Sequence, residues 1–167
     1  MQPVGSGPDA RTYTVRATAA DRSALYSALM GDWYRRPVSW WRPPALGLLG
    51  VALLLGGPVP WAYAVLVGLG MAVLLFLLAW RRYEHSVQAV LDRGWFEGSE
   101  HEAVFDDEGM TFRGPVGAVE YRWQVVDHVR PELRVVAIHL RPGGVRQYVP
   151  RALFPVEEIT EVRRRVG

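Results

Sequence analysis

Twenty consecutive residues, Trp61 to Trp80, carry no charge. As a helix rising about 1.5 Å per residue, a run of that length spans the roughly 30 Å hydrocarbon core of a bilayer. The whole chain has only 167 residues. That leaves room for one modest domain beside a membrane segment.

A second apolar run, Pro44 to Gly57, comes just before it. Alone it reaches only about 21 Å as a helix. The preceding "SWWRP" extends it, because Trp40 and Trp41 suit the interface and Arg42 snorkels toward it. Pro43 and Pro44 fit an opening turn, where a missing N–H costs little. Between the runs lies "GGPVP", residues 56–60, whose glycines end a helix and whose prolines prevent its continuation. The charges agree with a reversal there. Arg35, Arg36 and Arg42 precede the first run, Arg81 and Arg82 follow the second, and the turn has none. By the positive-inside rule both flanks, and so both termini, are expected in the cytoplasm. The reading is a two-span transmembrane helical hairpin over 37–81, with spans at about 41–57 and 61–80. The alternative is a single crossing, with the first run re-entrant or buried in protein.

Ala64, Gly68 and Ala72 recur every four residues, a small-residue stripe that lets helices approach closely. The favoured reading packs it against residues 44–57 of the same hairpin. The other makes it a face for a membrane-protein partner or a homo-oligomer.

Composition removes several function classes. There is no cysteine, so disulfides, thiolate nucleophiles and zinc–thiolate sites are excluded. All 19 basic residues are arginine, and lysine and asparagine are both absent. Their adenine-rich codons make this the mark of a GC-rich bacterial genome, and the expected location is the bacterial inner membrane. The net charge of +2 suits an anionic leaflet better than nucleic acid, which asks for more charge on one face. The start, "MQPVGSGPDARTYTV", has no apolar stretch after a basic segment, so no cleaved signal peptide is expected.

Residues 1–36 read as a cytosolic strand and helix. "TYTVRAT" alternates Tyr13, Val15 and Ala17 against Thr14, Arg16 and Thr18. Next, Thr18 and Asp21 have capping-box spacing, and Leu25, Leu29 and Trp33 follow at helical period. Residues 82–94 continue the second crossing as a juxtamembrane helix ended by Gly94.

From 95 to 167 the period changes to two. "EHEAVFDDEGMTFRG" reads as a hairpin with Gly109 in the left-handed position, and "LRVVAIHLRPGGVRQYV" as another turning at "PGG". "GAVEYRW" and "WQVVDHVR" supply further strands. "PRALFPVEEITEVRRRVG" closes with a helix, acids first and Arg163, Arg164 and Arg165 last, as the helix dipole prefers. The strand near 12–18 is expected to pair with this later sheet, making the membrane hairpin an insertion into one fold.

This order resembles the bacterial YcxB-like membrane protein family. The likeness rests on Phe105 and Gly109, on Tyr121 and Trp123, and on Val149, Pro150 and Phe154. The resemblance implies an α+β membrane protein whose cytosolic β-rich domain, with its C-terminal helix, is similar to pleckstrin-homology (PH-like) folds. It implies no catalytic residue, cofactor or substrate.

The residues agree on the last point. His85, His101, His128 and His139 stand in no metal-ligand spacing, and a metal site is not expected. Asp106, Asp107 and Glu108 fall in a turn rather than a cleft. No serine lies in a nucleophile elbow, and "RPGGVR" lacks the helix a phosphate loop needs. The aromatics of the tail, Phe105, Phe112, Tyr121, Trp123, Tyr148 and Phe154 with Trp95 and Phe96, read first as a core. Arg35, Arg36, Arg81, Arg82 and Arg163 to Arg165 are the candidates for anionic-lipid contact.

The sequence therefore points to a non-enzymatic membrane protein whose cytosolic domain binds protein or lipid, with no cofactor, nucleic acid or small-molecule substrate. The alternative is an accessory or immunity-type subunit that engages a larger transporter or channel through its transmembrane helices.

Overall fold

A computed structural model describes residues 10–35, 45–52, 57 and 60–166. The chain is α+β, and it divides into two compact units. One joins the segment up to Ala28 with everything from Val90 onward; the other is Leu29–Ala89.

The first unit is built on seven antiparallel strands. β1 (Arg11–Arg16), β2 (Glu100–Phe105), β3 (Gly109–Gly114) and β4 (Gly117–Arg122) form one sheet in that order. β5 (Val126–Pro131), β6 (Val135–Leu140) and β7 (Val145–Pro150) form the second. The alternating stretches became strands, mostly because one face has a core to bury. Trp123–Val125, read as the start of a strand, instead forms a short 3-10 turn, and β1 and β4 bury their inner faces only in part. β1 pairs with β2 from Arg11 opposite Phe105 to Arg16 opposite Glu100, so the first strand does join the late sheet.

The core lies between the sheets and under the last helix, α4 (Val156–Val166). Phe105, Met110, Val136, Ile138, Leu153, Phe154, Ile159 and Val162 form its centre. Phe105 meets Phe154 edge-on at 4.9 Å, and Tyr13, Phe112, Tyr121 and Trp123 pack around them. The aromatics thus form a core as expected, except Phe96, which is exposed.

Local signals explain the turns. α1 (Ala19–Arg35) begins with the capping box read from sequence: Thr18 N–H donates to Asp21 Oδ2 at 3.1 Å, and Asp21 N–H donates to Thr18 Oγ1 at 3.3 Å. Gly143 and Gly144 turn the β6–β7 hairpin at φ of 98° and 64°.

Gly109 corrects the sequence reading, because it is not in the left-handed region. The β2–β3 turn is set instead by Asp106, whose Oδ1 accepts from the N–H groups of Glu108 at 2.9 Å and Gly109 at 2.8 Å. Glycine is required at 109 for another reason. A Cβ there would overlap the Tyr121 carbonyl oxygen and stand 2.9 Å from its carbon.

The second unit is helical. Its main element, α3 (Trp61–Gly94), is among the described residues the one helix long and apolar enough to cross a membrane. A helical segment at 45–52, α2, comes before it. The first expected span, about 41–57, is described only over 45–52 and at residue 57, and its remaining residues lie outside the described set.

Candidate functional site

Three features of the fold bear on function: the apolar surface of α3, the arginines that flank it, and two cavities in the β-rich unit.

A core helix of a soluble domain buries its leucines. In α3 only 11% of the most apolar 18-residue stretch is buried, and Leu66, Leu69, Leu74, Leu77 and Leu78 are all exposed. Of the predicted small-residue stripe, Ala64 and Gly68 are buried and Ala72 is half-buried. Ala64 is fully buried, at 0% exposure. Gly68 faces α2, where an added Cβ would overlap Val51 Cγ2. Gly47 faces back, and its Cβ would stand 2.6 Å from Ala72 Cβ and 2.9 Å from the Gly68 carbonyl oxygen. The two backbones therefore approach closely where both helices lack side-chain bulk.

Near the other end of the apolar run Trp80 meets Trp33 at 5.1 Å and Tyr34 at 5.2 Å, and Tyr83 donates its hydroxyl to the Leu29 carbonyl at 2.9 Å. Amphipathic rings of this kind gather at the membrane–water boundary. Arg81 and Arg82 follow directly, exposed and without an ion-pair partner among the described residues. Arg35 ends α1 and has an interaction of its own. Arg36 lies outside the described residues.

The arginines of α4 are not equivalent. Arg164 pairs with Glu161 one turn earlier. Arg165 donates from Nε to Glu161 at 2.8 Å and from Nη2 to Asp107 at 3.0 Å, and its guanidinium lies 5.6 Å from the centre of the Trp123 ring. Hydrogen bonds from both arginines hold the Glu161 carboxyl far down, at about 2. Only Arg163 of the three is exposed without a partner among the described residues. These groups wall a cavity of about 490 Å³ beside Arg11, Asp106 and Glu158. Its charges are mostly satisfied within the protein, so it has little left to offer an ion.

The second cavity, about 380 Å³, differs in chemistry. It is a groove lined by Val116, Val119, Tyr121, Val149 and Leu153, with the end of α3 and Trp95 on one side. β4 and β7, each the last strand of its sheet, both contribute to it. His101 lines it as well, 5% exposed, stacked on Trp95 with ring centres 3.6 Å apart. Nothing in the sequence marks this groove, since its walls come from residues 90 to 153.

His128 and His139 are cross-strand neighbours stacked at 3.9 Å, with His128 Nδ1 2.9 Å from Asp127 Oδ2. Burial, followed by the charge of His128, pushes the His139 imidazole down. Among the described residues no three His, Asp or Glu side chains converge as metal ligands would.

Compared with protein-family models and with curated proteins, the chain finds no match.

Proposed function

We propose that this chain is a small bacterial inner-membrane protein without catalytic activity, whose cytosolic domain holds a protein or lipid partner at the membrane face. The observation that carries the reading is the exposure of α3: more than a dozen apolar residues stand unburied on a helix long enough to span lipid. Water would oppose that surface by roughly 25 cal/mol per Å².

The two-span hairpin with both termini in the cytoplasm is part of the same proposal. Supporting it are the close α2–α3 packing at Gly47 and Gly68, and Arg81 and Arg82, exposed next to the aromatic cluster without an ion-pair partner among the described residues. The likeness to YcxB-like proteins and their PH-like domains gains support from the two antiparallel sheets and the closing α4. The alternative, a subunit that binds a transporter or channel through the Ala64 stripe, is weaker. That stripe already faces α2.

The test uses the absence of native cysteine. Single substitutions Ser27→Cys, Gly57→Cys and Gly143→Cys are probed with a membrane-impermeant maleimide on intact cells and on lysed cells. Gly57→Cys should label in intact cells, and the other two only after lysis. Labelling of Gly57→Cys on the same side as both others removes the two-span topology, and a chain that is soluble without detergent removes the membrane reading altogether.

A further inference from the structure

Among the polar groups lining the apolar groove of the β-rich unit is the buried His101, and the hydrogen bonds around its ring identify the state of its free nitrogen. Ser99 donates its hydroxyl to the Phe96 carbonyl oxygen at 2.6 Å. Its single proton is thereby used, so at the 2.9 Å contact with His101 Nε2 the serine oxygen accepts. The imidazole therefore carries its proton on Nε2, and Nδ1 presents a lone pair. Burial lowers the affinity of this ring for a second proton, which keeps the lone pair free near neutral pH.

No partner for Nδ1 exists among the described residues, yet no fully enclosed side-chain nitrogen or oxygen is left unsatisfied. Nδ1 is therefore not sealed in. The residue in front of it is Gly114, where an added Cβ would stand 2.8 Å from Nδ1 and 3.1 Å from Cε1. Any larger residue at 114 would cover the nitrogen. Gly114 lines the same groove, so the missing side chain leaves a path from the cavity to the lone pair. At the rim, Arg93 is exposed and without an ion-pair partner among the described residues. A positive rim disfavours cations and accepts a neutral or anionic molecule.

The geometry points to a small-molecule site: the groove takes an apolar, non-cationic molecule bearing one hydroxyl or N–H, which donates to His101 Nδ1. The chemistry fits the usual pattern of ligand pockets, an apolar wall of a few hundred cubic ångströms with very few aimed polar groups. This goes beyond the membrane reading and does not depend on the partner proposed there.

The experiment uses the full chain in lipid nanodiscs with ¹⁵N-labelled histidine. The probes are 4-phenylphenol and 4-methoxybiphenyl, which share a body and differ in the donor. Nuclear magnetic resonance follows the ring nitrogens of the four histidines, with His101→Phe assigning one set. The phenol should move the unprotonated His101 nitrogen and bind about tenfold more tightly than the ether, the scale of one net hydrogen bond at a site water can also reach. Gly114→Ala keeps the histidine but covers Nδ1, and should abolish the preference while the His128 and His139 signals stay in place. Equal affinity for both probes, a shift confined to other histidines, or a preference that survives Gly114→Ala overturns the proposal. Incorporation into nanodiscs is scored beforehand, so failure of the membrane reading is seen separately.

Discussion

Tyr13 donates its hydroxyl to Glu158 Oε1 at 3.0 Å, joining the first strand of the protein to its last helix across 145 positions of sequence. Arg11 donates to the same oxygen at 3.0 Å, and Glu158 is only 3% exposed. A carboxylate this enclosed needs such partners.

Removing this link should be felt throughout the β-rich unit. Tyr13→Phe is expected to lower stability by about 1 kcal/mol, the usual loss for one hydrogen bond. Deleting residues 10–16 removes β1 from its sheet and should cost several times more. Urea melts of the full-length protein in detergent, followed by tryptophan fluorescence, measure both. An unchanged transition for the deletion would mean that the β1–β2 pairing contributes nothing.

The helix contact gives a prediction with its own control. Gly68→Leu drives a side chain into Val51 and should destabilise the helical unit by about 1–3 kcal/mol. Gly70→Leu, two residues along the same helix, meets nothing within 4 Å and should be nearly neutral. Thermal unfolding in micelles separates the two; equal effects would show that α2 and α3 do not pack here.

Glu161 should give the protein an acid-sensitive helix. Its carboxyl is lowered from the ordinary 4.5 to about 2 by hydrogen bonds from Arg164 and Arg165. A carboxyl depressed in the folded state stabilises above its unfolded value, and that contribution fades as the pH falls toward 2. Glu161→Gln should therefore lie below the wild type in stability at neutral pH and converge with it between pH 4.5 and 2. Melting temperatures across that range check the sign.

The stacked histidine pair works in a higher window. His139 is pushed down from 6.5 by burial, then by the charges of His128, Arg146 and Arg130, against a smaller opposing pull from Asp127. Its neutral form is favoured in the fold, so its contribution is present above pH 6.5 and is lost as the pH falls below that value. His139→Phe should flatten the loss of stability between pH 7 and 5. A slope identical to that of the wild type would assign it elsewhere.

Much of this fold was legible wherever a local rule decided the outcome. The Thr18–Asp21 box, the glycine turn at 143 and 144 and the alternation of the strands all act over a few residues; the first two formed as read, and the strands did apart from Trp123–Val125. Gly109 shows where that reach ends. Its neighbours suggested a left-handed turn residue, while the actual constraint is the backbone of Tyr121, twelve positions away and brought close only by β3–β4 pairing. The candidate site followed the same division. The pairing of Arg164 and Arg165 with Glu161 is a spacing of three and four on a helix, visible in principle. The lone pair of His101 depends on Ser99, Gly114 and Trp95 meeting around one ring, and no periodicity reports that.

The interrupted sheet also imposes an order of events during synthesis. β1 leaves the ribosome before the apolar helices, and β2, its partner, follows only after them. Until the later half emerges, the first strand has nothing to pair with. A nascent chain whose oily middle fails to enter lipid would hold the two halves of its sheet around an aggregating segment. If the apolar middle enters lipid as proposed, the facing edges of β1 and β2 stay open to quality-control proteases until the two strands meet across it.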